Sequence, residues 1–173
     1  MSVLRDMSFS SADKRFVVVV TQAATRAMVA ACAEAGRKET GGILIGKIEA
    51  DGHTATVLEA TPKPRDSAFG WAWFRRGVKG LKLLLQERWN AGQHYLGEWH
   101  YHPGGSPEPS HSDYKAMARI AAENSYQSKE PILAILGGSP PHDWRLSVTV
   151  TPLGELPQRL LPYVGTVERP ERP

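Results

Sequence analysis

The chain is poor in cysteine, in long apolar runs and in excess charge. Its 173 residues include one cysteine, Cys32. A single thiol excludes an intrachain disulfide and every zinc site that needs two or more thiolates, and it suits a reducing compartment. The longest strongly apolar run, Phe16–Val20, is far too short to span a bilayer, so no membrane partner is expected. The opening stretch MSVLRDMSFSSADKR lacks the apolar h-region of a signal peptide, and the expected location is cytoplasmic. A net charge of +3 is too weak a bias to imply nucleic acid. Two metal-hydrolase signatures are also missing. There is no H-E-x-x-H for a zincin, and one cysteine cannot supply the P-C-x-x-C half of a zinc deaminase.

The rest of the composition is that of a packed soluble domain, with 41% apolar and 23% charged residues. Phe16–Val20 reads as a buried strand followed by an Ala-rich helix, with Thr21 as its N-cap and Gly36 as its stop. Two strands then flank a turn at Asp51-Gly52. Residues 63–74 read as a loop or irregular edge strand. Val78, Leu81, Leu85 and Trp89 recur at helical spacing. QHYLGEWHYH predicts a strand, SHSDYKAMARIAAENS a helix from Ser110, and PILAILGG and DWRLSVTV two further strands. The expected fold class is α/β (α+β), a mixed, largely antiparallel sheet flanked by helices. The expected organisation is an N-terminal segment over 1–15, one domain over 16–160, and a Pro-rich disordered tail over 161–173.

Chemistry concentrates in GEWHYHPGGSPEPSHSD, Gly97–Asp113. His100 and His102 are two apart at a strand end, so both imidazoles share a face and can approach one ion. Asp113 begins the following helix, and the loop between turns the chain back. Two nitrogens and one carboxylate oxygen, with water in the fourth position, make the open site of a catalytic zinc. Ser110-x-x-Asp113 is equally the pattern of a helix capping box, and the two readings are partly compatible.

His100-x-His102 followed by Ser110-x-x-Asp113, with WHYHP at Trp99–Pro103 and an upstream KETGGILIG carrying Glu39, resembles the JAMM motif of the JAB1/MPN/Mov34 metalloprotease family. The resemblance runs in element order over about Phe16 to Val150. It implies one catalytic Zn2+ held by His100, His102 and Asp113. It implies Glu39 as general base and Ser110 as the residue that steadies the tetrahedral intermediate. It further implies cleavage after the Gly-rich C-terminal tail of a ubiquitin-like protein, by deconjugation or precursor processing. Within the family the chain looks like compact bacterial JAB proteins of CBASS or Bil anti-phage operons, whose conjugation enzymes are then possible partners. A processing protease for a sulfur-carrier protein and a non-catalytic MPN-like interaction module are the alternatives.

Other residues are weighed against this set. Glu98 shares the parity of His100 and His102, but that family position is usually apolar or aromatic, so Glu98 is assigned no role. His111 should diverge from Asp113 on the helix. His53, His94 and His142 fall at turns or strand ends and read as surface residues. Cys32, in an Ala-rich helix, reads as core. Trp71, Trp73 and Phe74 are candidate substrate-binding residues, as a rim over a narrow tail that adds beside a sheet edge. Core packing explains these aromatics almost as well.

Overall fold

The computed structural model of the chain describes residues 5–62 and 79–163. Strands β1 (Met7–Ser10) and β2 (Val17–Val20) precede helix α1 (Gln22–Ala35), and β3 (Gly41–Ile48) and β4 (Thr54–Ala60) follow it. Helix α2 (Lys79–Asn90), β5 (His94–Pro103), α3 (His111–Ala122), a 3-10 turn (Asn124–Tyr126), β6 (Ile132–Ser139), β7 (Asp143–Val150) and β8 (Gln158–Pro162) complete the order. The Trp71–Phe74 stretch lies outside the described residues, as do residues 164–173.

The helix signals act as the sequence predicts. Thr21 accepts a hydrogen bond from the Ala24 N–H at 3.3 Å. Gly36 ends α1 with a positive φ, and its N–H returns to the Cys32 carbonyl. Strand β2 contributes alternate valines to the core, Val18 and Val20.

The strands follow the order β1-β2-β4-β3-β5-β6-β7-β8 and close into a barrel. Only β2–β4 and β5–β6 are parallel pairs. The mixed, largely antiparallel sheet is therefore as expected, and its closure is new. Strands β1 and β8, which carry little sequence signal of their own, pair with each other and complete the ring. Closure gives every described strand two neighbours. The barrel interior is one apolar cluster that includes Phe9, Val57, Trp99, Leu136 and Leu160, and α1 packs on it through Ala24, Met28 and Cys32. A second cluster lies on the outer face of β3, β5 and β6. There Ile43, Ile45, Leu133 and Ile135 meet Met117 and Ile120 of α3 and Leu84 and Leu85 of α2. The Arg88–Glu59 ion pair, at 2.7 Å, ties α2 to β4.

One irregularity orients the site. The β3–β5 register shifts so that Leu44 faces Gly97 while Ile45 faces Tyr95, leaving Leu96 as an extra residue. Tyr95 packs outside and Leu96 inside, yet Trp99 and Tyr101 also point inside. Strict alternation from Leu96 would have sent Glu98, His100 and His102 into the core. Gly97 absorbs the bulge at φ 151, where a Cβ would stand 1.8 Å from the Ile132 carbonyl.

Candidate active site

Strand β5 delivers two histidines to one face, and α3 brings a carboxylate back to meet the first. The Nδ1 of His100 lies 2.9 Å from Asp113 Oδ1. The other carboxylate oxygen, Oδ2, accepts from the Ser110 N–H at 2.7 Å and from the Ser110 hydroxyl at 2.6 Å. In return Ser110 Oγ accepts the Asp113 N–H at 3.2 Å. Ser110 and Asp113 thus form the reciprocal capping box that starts α3. The same cap that begins the helix aims Asp113 at β5.

Charge is concentrated here. Burial works against an ionised Asp113, but hydrogen bonds from His100 and Ser110 hold its carboxyl well below the usual carboxylate range. Burial likewise disfavours a charged His100, yet hydrogen bonds to Asp113 and Glu98 outweigh it and raise the imidazole to about 9. Glu98, given no part by the sequence, stands with its Oε2 3.4 Å from His100 Nε2. The readable signal was its shared parity with the histidines.

His102 is held separately. Its Nδ1 is 3.0 Å from the Ser106 carbonyl. A carbonyl can only accept, so Nδ1 is the donor, and in the neutral ring the lone pair is on Nε2. The loop that supplies this carbonyl is itself fastened. The Gly104 N–H donates to the Gly138 carbonyl, the Ser147 hydroxyl to the Pro107 carbonyl, and Arg159 pairs with Glu108. The loop lies on β6 at Gly137, where a Cβ would come within 2.6 Å of the Gly105 oxygen and the Pro107 nitrogen.

Glu39 lies just before β3 and is exposed. Gly41 pairs with His100, and the Tyr101 N–H donates to the Thr40 carbonyl at 2.8 Å. Glu39 stands two residues ahead of the Gly41–His100 pair, where β3 begins beside the histidine end of β5. Among the described residues, no three His, Cys, Asp or Glu side chains stand together as a metal-binding group. His100 pairs with Asp113 and His102 with the loop. His111 is exposed at the start of α3, as expected. Cys32 is buried and burial pushes its thiol up to about 12, consistent with a core role. An apolar hollow lined by Phe16, Ile48, Trp89, His94 and Tyr95 opens at the other end of β5 and contains none of these residues. No described helix is long and apolar enough to cross a membrane.

Comparison with known proteins agrees with this geometry. Residues 21–147 match the family described as prokaryotic homologs of the JAB domain. A protein of Enterobacter hormaechei subsp. hoffmannii (strain UCI 50), named CD-NTase/cGAS isopeptidase, is 48% identical over 157 residues, covering 91% of this chain and 87% of the relative. A Pseudomonas aeruginosa (strain BWHPSA011 / Pa011) protein of the same name is 33% identical over 103 residues, covering 58% of this chain and 63% of the relative. A protein of Desulfitobacterium hafniense solved in solution shares the fold, with a TM-score of 0.57 at 17% identity, over 82% of this chain and 88% of its own. The match spans the helix that begins at Thr21, the strand with both histidines and the helix that Ser110 caps, and the chain belongs to the prokaryotic JAB-domain family.

Proposed function

We propose that the chain is a zinc-dependent isopeptidase that cleaves after the Gly-rich C-terminal tail of a ubiquitin-like protein. Its substrate is a conjugate, and the names of its relatives point to CD-NTase/cGAS as the protein that is released. The setting is bacterial anti-phage defence. The observation that carries this reading is the meeting of Asp113 with His100 across a fastened loop, with Glu39 two residues ahead of the Gly41–His100 pair.

The donors suit zinc. His100 Nδ1 and Asp113 Oδ1 are 2.9 Å apart, and these two residues would hold the ion together with His102. With Nδ1–H donated to the Ser106 carbonyl, Nε2 is the nitrogen that His102 can offer to an ion. Two imidazoles and a carboxylate with an open position are the donor set of a catalytic zinc. Zinc supplies a Lewis acid that lowers the pKa of a water and polarises the scissile carbonyl. Glu39 accepts the proton from the attacking water and passes it to the leaving amine. Ser110, whose hydroxyl here donates to Asp113, donates to the developing oxyanion. Asp113 orients His100 and shares its charge. No nucleophile from the chain is needed, in keeping with an inert Cys32.

The test joins zinc content, by elemental mass spectrometry, to cleavage of a Gly-Gly-tailed ubiquitin-like protein fused to a reporter. The wild type should carry near-stoichiometric zinc and cleave. Glu39→Ala should keep zinc and lose about 10²–10⁴-fold in rate. His100→Ala and Asp113→Ala should lose both. A wild type that takes up no zinc, even after zinc addition and desalting, would sink the reading. A fully active Glu39→Ala would remove Glu39 from the general-base role.

A further inference from the structure

Glu98 occupies a place where the fold calls for an apolar side chain. It lies on the outer face of β5, opposite Ile43 on β3 and Leu133 on β6. Both belong to the cluster beneath α3. Its side chain is only 19% exposed. Carboxylates are seldom so covered, because desolvating the charge costs several kcal/mol unless it is partnered. The partner is His100, whose Nε2 is 3.4 Å away. Asp113 meets the other ring nitrogen, so the imidazole is held between two carboxylates of different origin. Tyr95 also registers the acid: burial first, and then the Glu98 charge, push its phenol well above the ordinary value. Stability alone does not account for an acid set among Ile43, Leu133 and a buried phenol.

We infer that Glu98 is a positioning residue for the metal site. It accepts Nε2–H of His100 and so leaves Nδ1, on the side of Asp113, as the ring nitrogen that gives up its proton when an ion binds. This inference rests on the zinc-dependent reading above and extends it to a residue outside the ligand set. A carboxylate on the far nitrogen of a ligating histidine fixes the ring and raises its basicity. Loss of such a partner weakens metal binding about 10–100-fold. Glu98 meets His100 at the ring nitrogen turned away from Asp113, so its part is distinct from that of Glu39.

The decisive experiment measures zinc affinity on the full chain by competition with a chelator. Wild type, Glu98→Gln and Glu98→Leu are compared, each with the visible spectrum of its cobalt(II) form. Glutamine keeps an acceptor without the charge, and leucine matches the apolar surroundings. The zinc dissociation constant should rise about tenfold in Glu98→Gln and up to about 100-fold in Glu98→Leu. The cobalt bands should shift, while circular dichroism of the metal-free chains stays unchanged. A purely structural acid would not grade metal affinity in an intact fold. Equal affinity in all three chains would overturn the role of Glu98 and leave the zinc reading standing. A wild type that binds no zinc would overturn both. A loss in Glu98→Gln as complete as in His100→Ala would make Glu98 a ligand and not a positioning residue. If Glu98→Leu fails to fold, Glu98→Gln decides.

Discussion

Trp99 and His100 are neighbours on β5, yet one is sealed inside the barrel and the other faces α3. Trp99 is fully buried, and its indole N–H donates to the Thr61 carbonyl at 2.8 Å. Tyr101, also inside, places its hydroxyl 3.2 Å from the carbonyls of both Gly36 and Gly138. Glu98, His100 and His102 alternate with these on the outer face. They are held by a few directional contacts to a capping box and a loop. The inner residues owe their places to packing, which is distributed over many atoms. The outer ones depend on single bonds, which one substitution can remove. The inner face should therefore govern stability and the outer face activity.

The sharpest way to break that division is to exchange the symptoms of the two neighbours. His100→Ala should cut cleavage of the tailed fusion by more than about 10³-fold, the scale of several kcal/mol that metal assistance supplies. The thermal midpoint of its metal-free form should fall by less than that of Trp99→Ala, the loss being the one charged partner of Glu98 and Asp113. Trp99→Ala should do the reverse, costing about 3–5 kcal/mol of stability and lowering the midpoint by about 10 °C. A His100→Ala chain that melted as early as Trp99→Ala would refute the separation.

Gly137→Ala probes the link between loop and site. An added methyl would push the Gly105–Pro107 backbone off β6 and take the Ser106 carbonyl from His102. Zinc affinity or turnover should fall about 10–100-fold with the fold retained, and unchanged kinetics would show that the loop does not hold His102. Tyr101→Phe should cost about 1 kcal/mol, read by denaturant titration, because the Gly36 and Gly138 carbonyls lose a shared donor. Cys32 should give the smallest effect. With its pKa raised to about 12 by burial, it holds almost no thiolate at pH 8. Native protein should therefore fail to react with a thiol-specific disulfide reagent that labels the unfolded chain at once.

Much of this was legible one residue at a time. Thr21, Gly36 and the Ser110–Asp113 box are local signals, because a cap forms within a single turn and needs nothing distant. The H-x-H spacing is local in the same sense. The barrel was not legible, because β1 and β8 are short and earn their place only by pairing with each other, some 150 residues apart in the chain. Glu98 was legible as a shared parity, but its contact with His100 depends on rotamers and on the apolar wall beside it. Glu39 was found by the resemblance. Its nearness to the histidine end of β5 follows from a β3–β5 pairing that closes over dozens of residues.

The sequence by itself determined the elements, the caps and the set of chemical groups, because each depends on contacts within a few residues. Only the tertiary structure decided which way those groups face. The bulge at Leu96-Gly97 resets the alternation of β5, and the close approach of Ile132 demands glycine there. That shift turns Trp99 and Tyr101 into the core and leaves Glu98, His100 and His102 outside, where Asp113 can reach. A one-residue change of register reverses every side chain that follows it, and the choice between the two registers is made by the neighbouring strands.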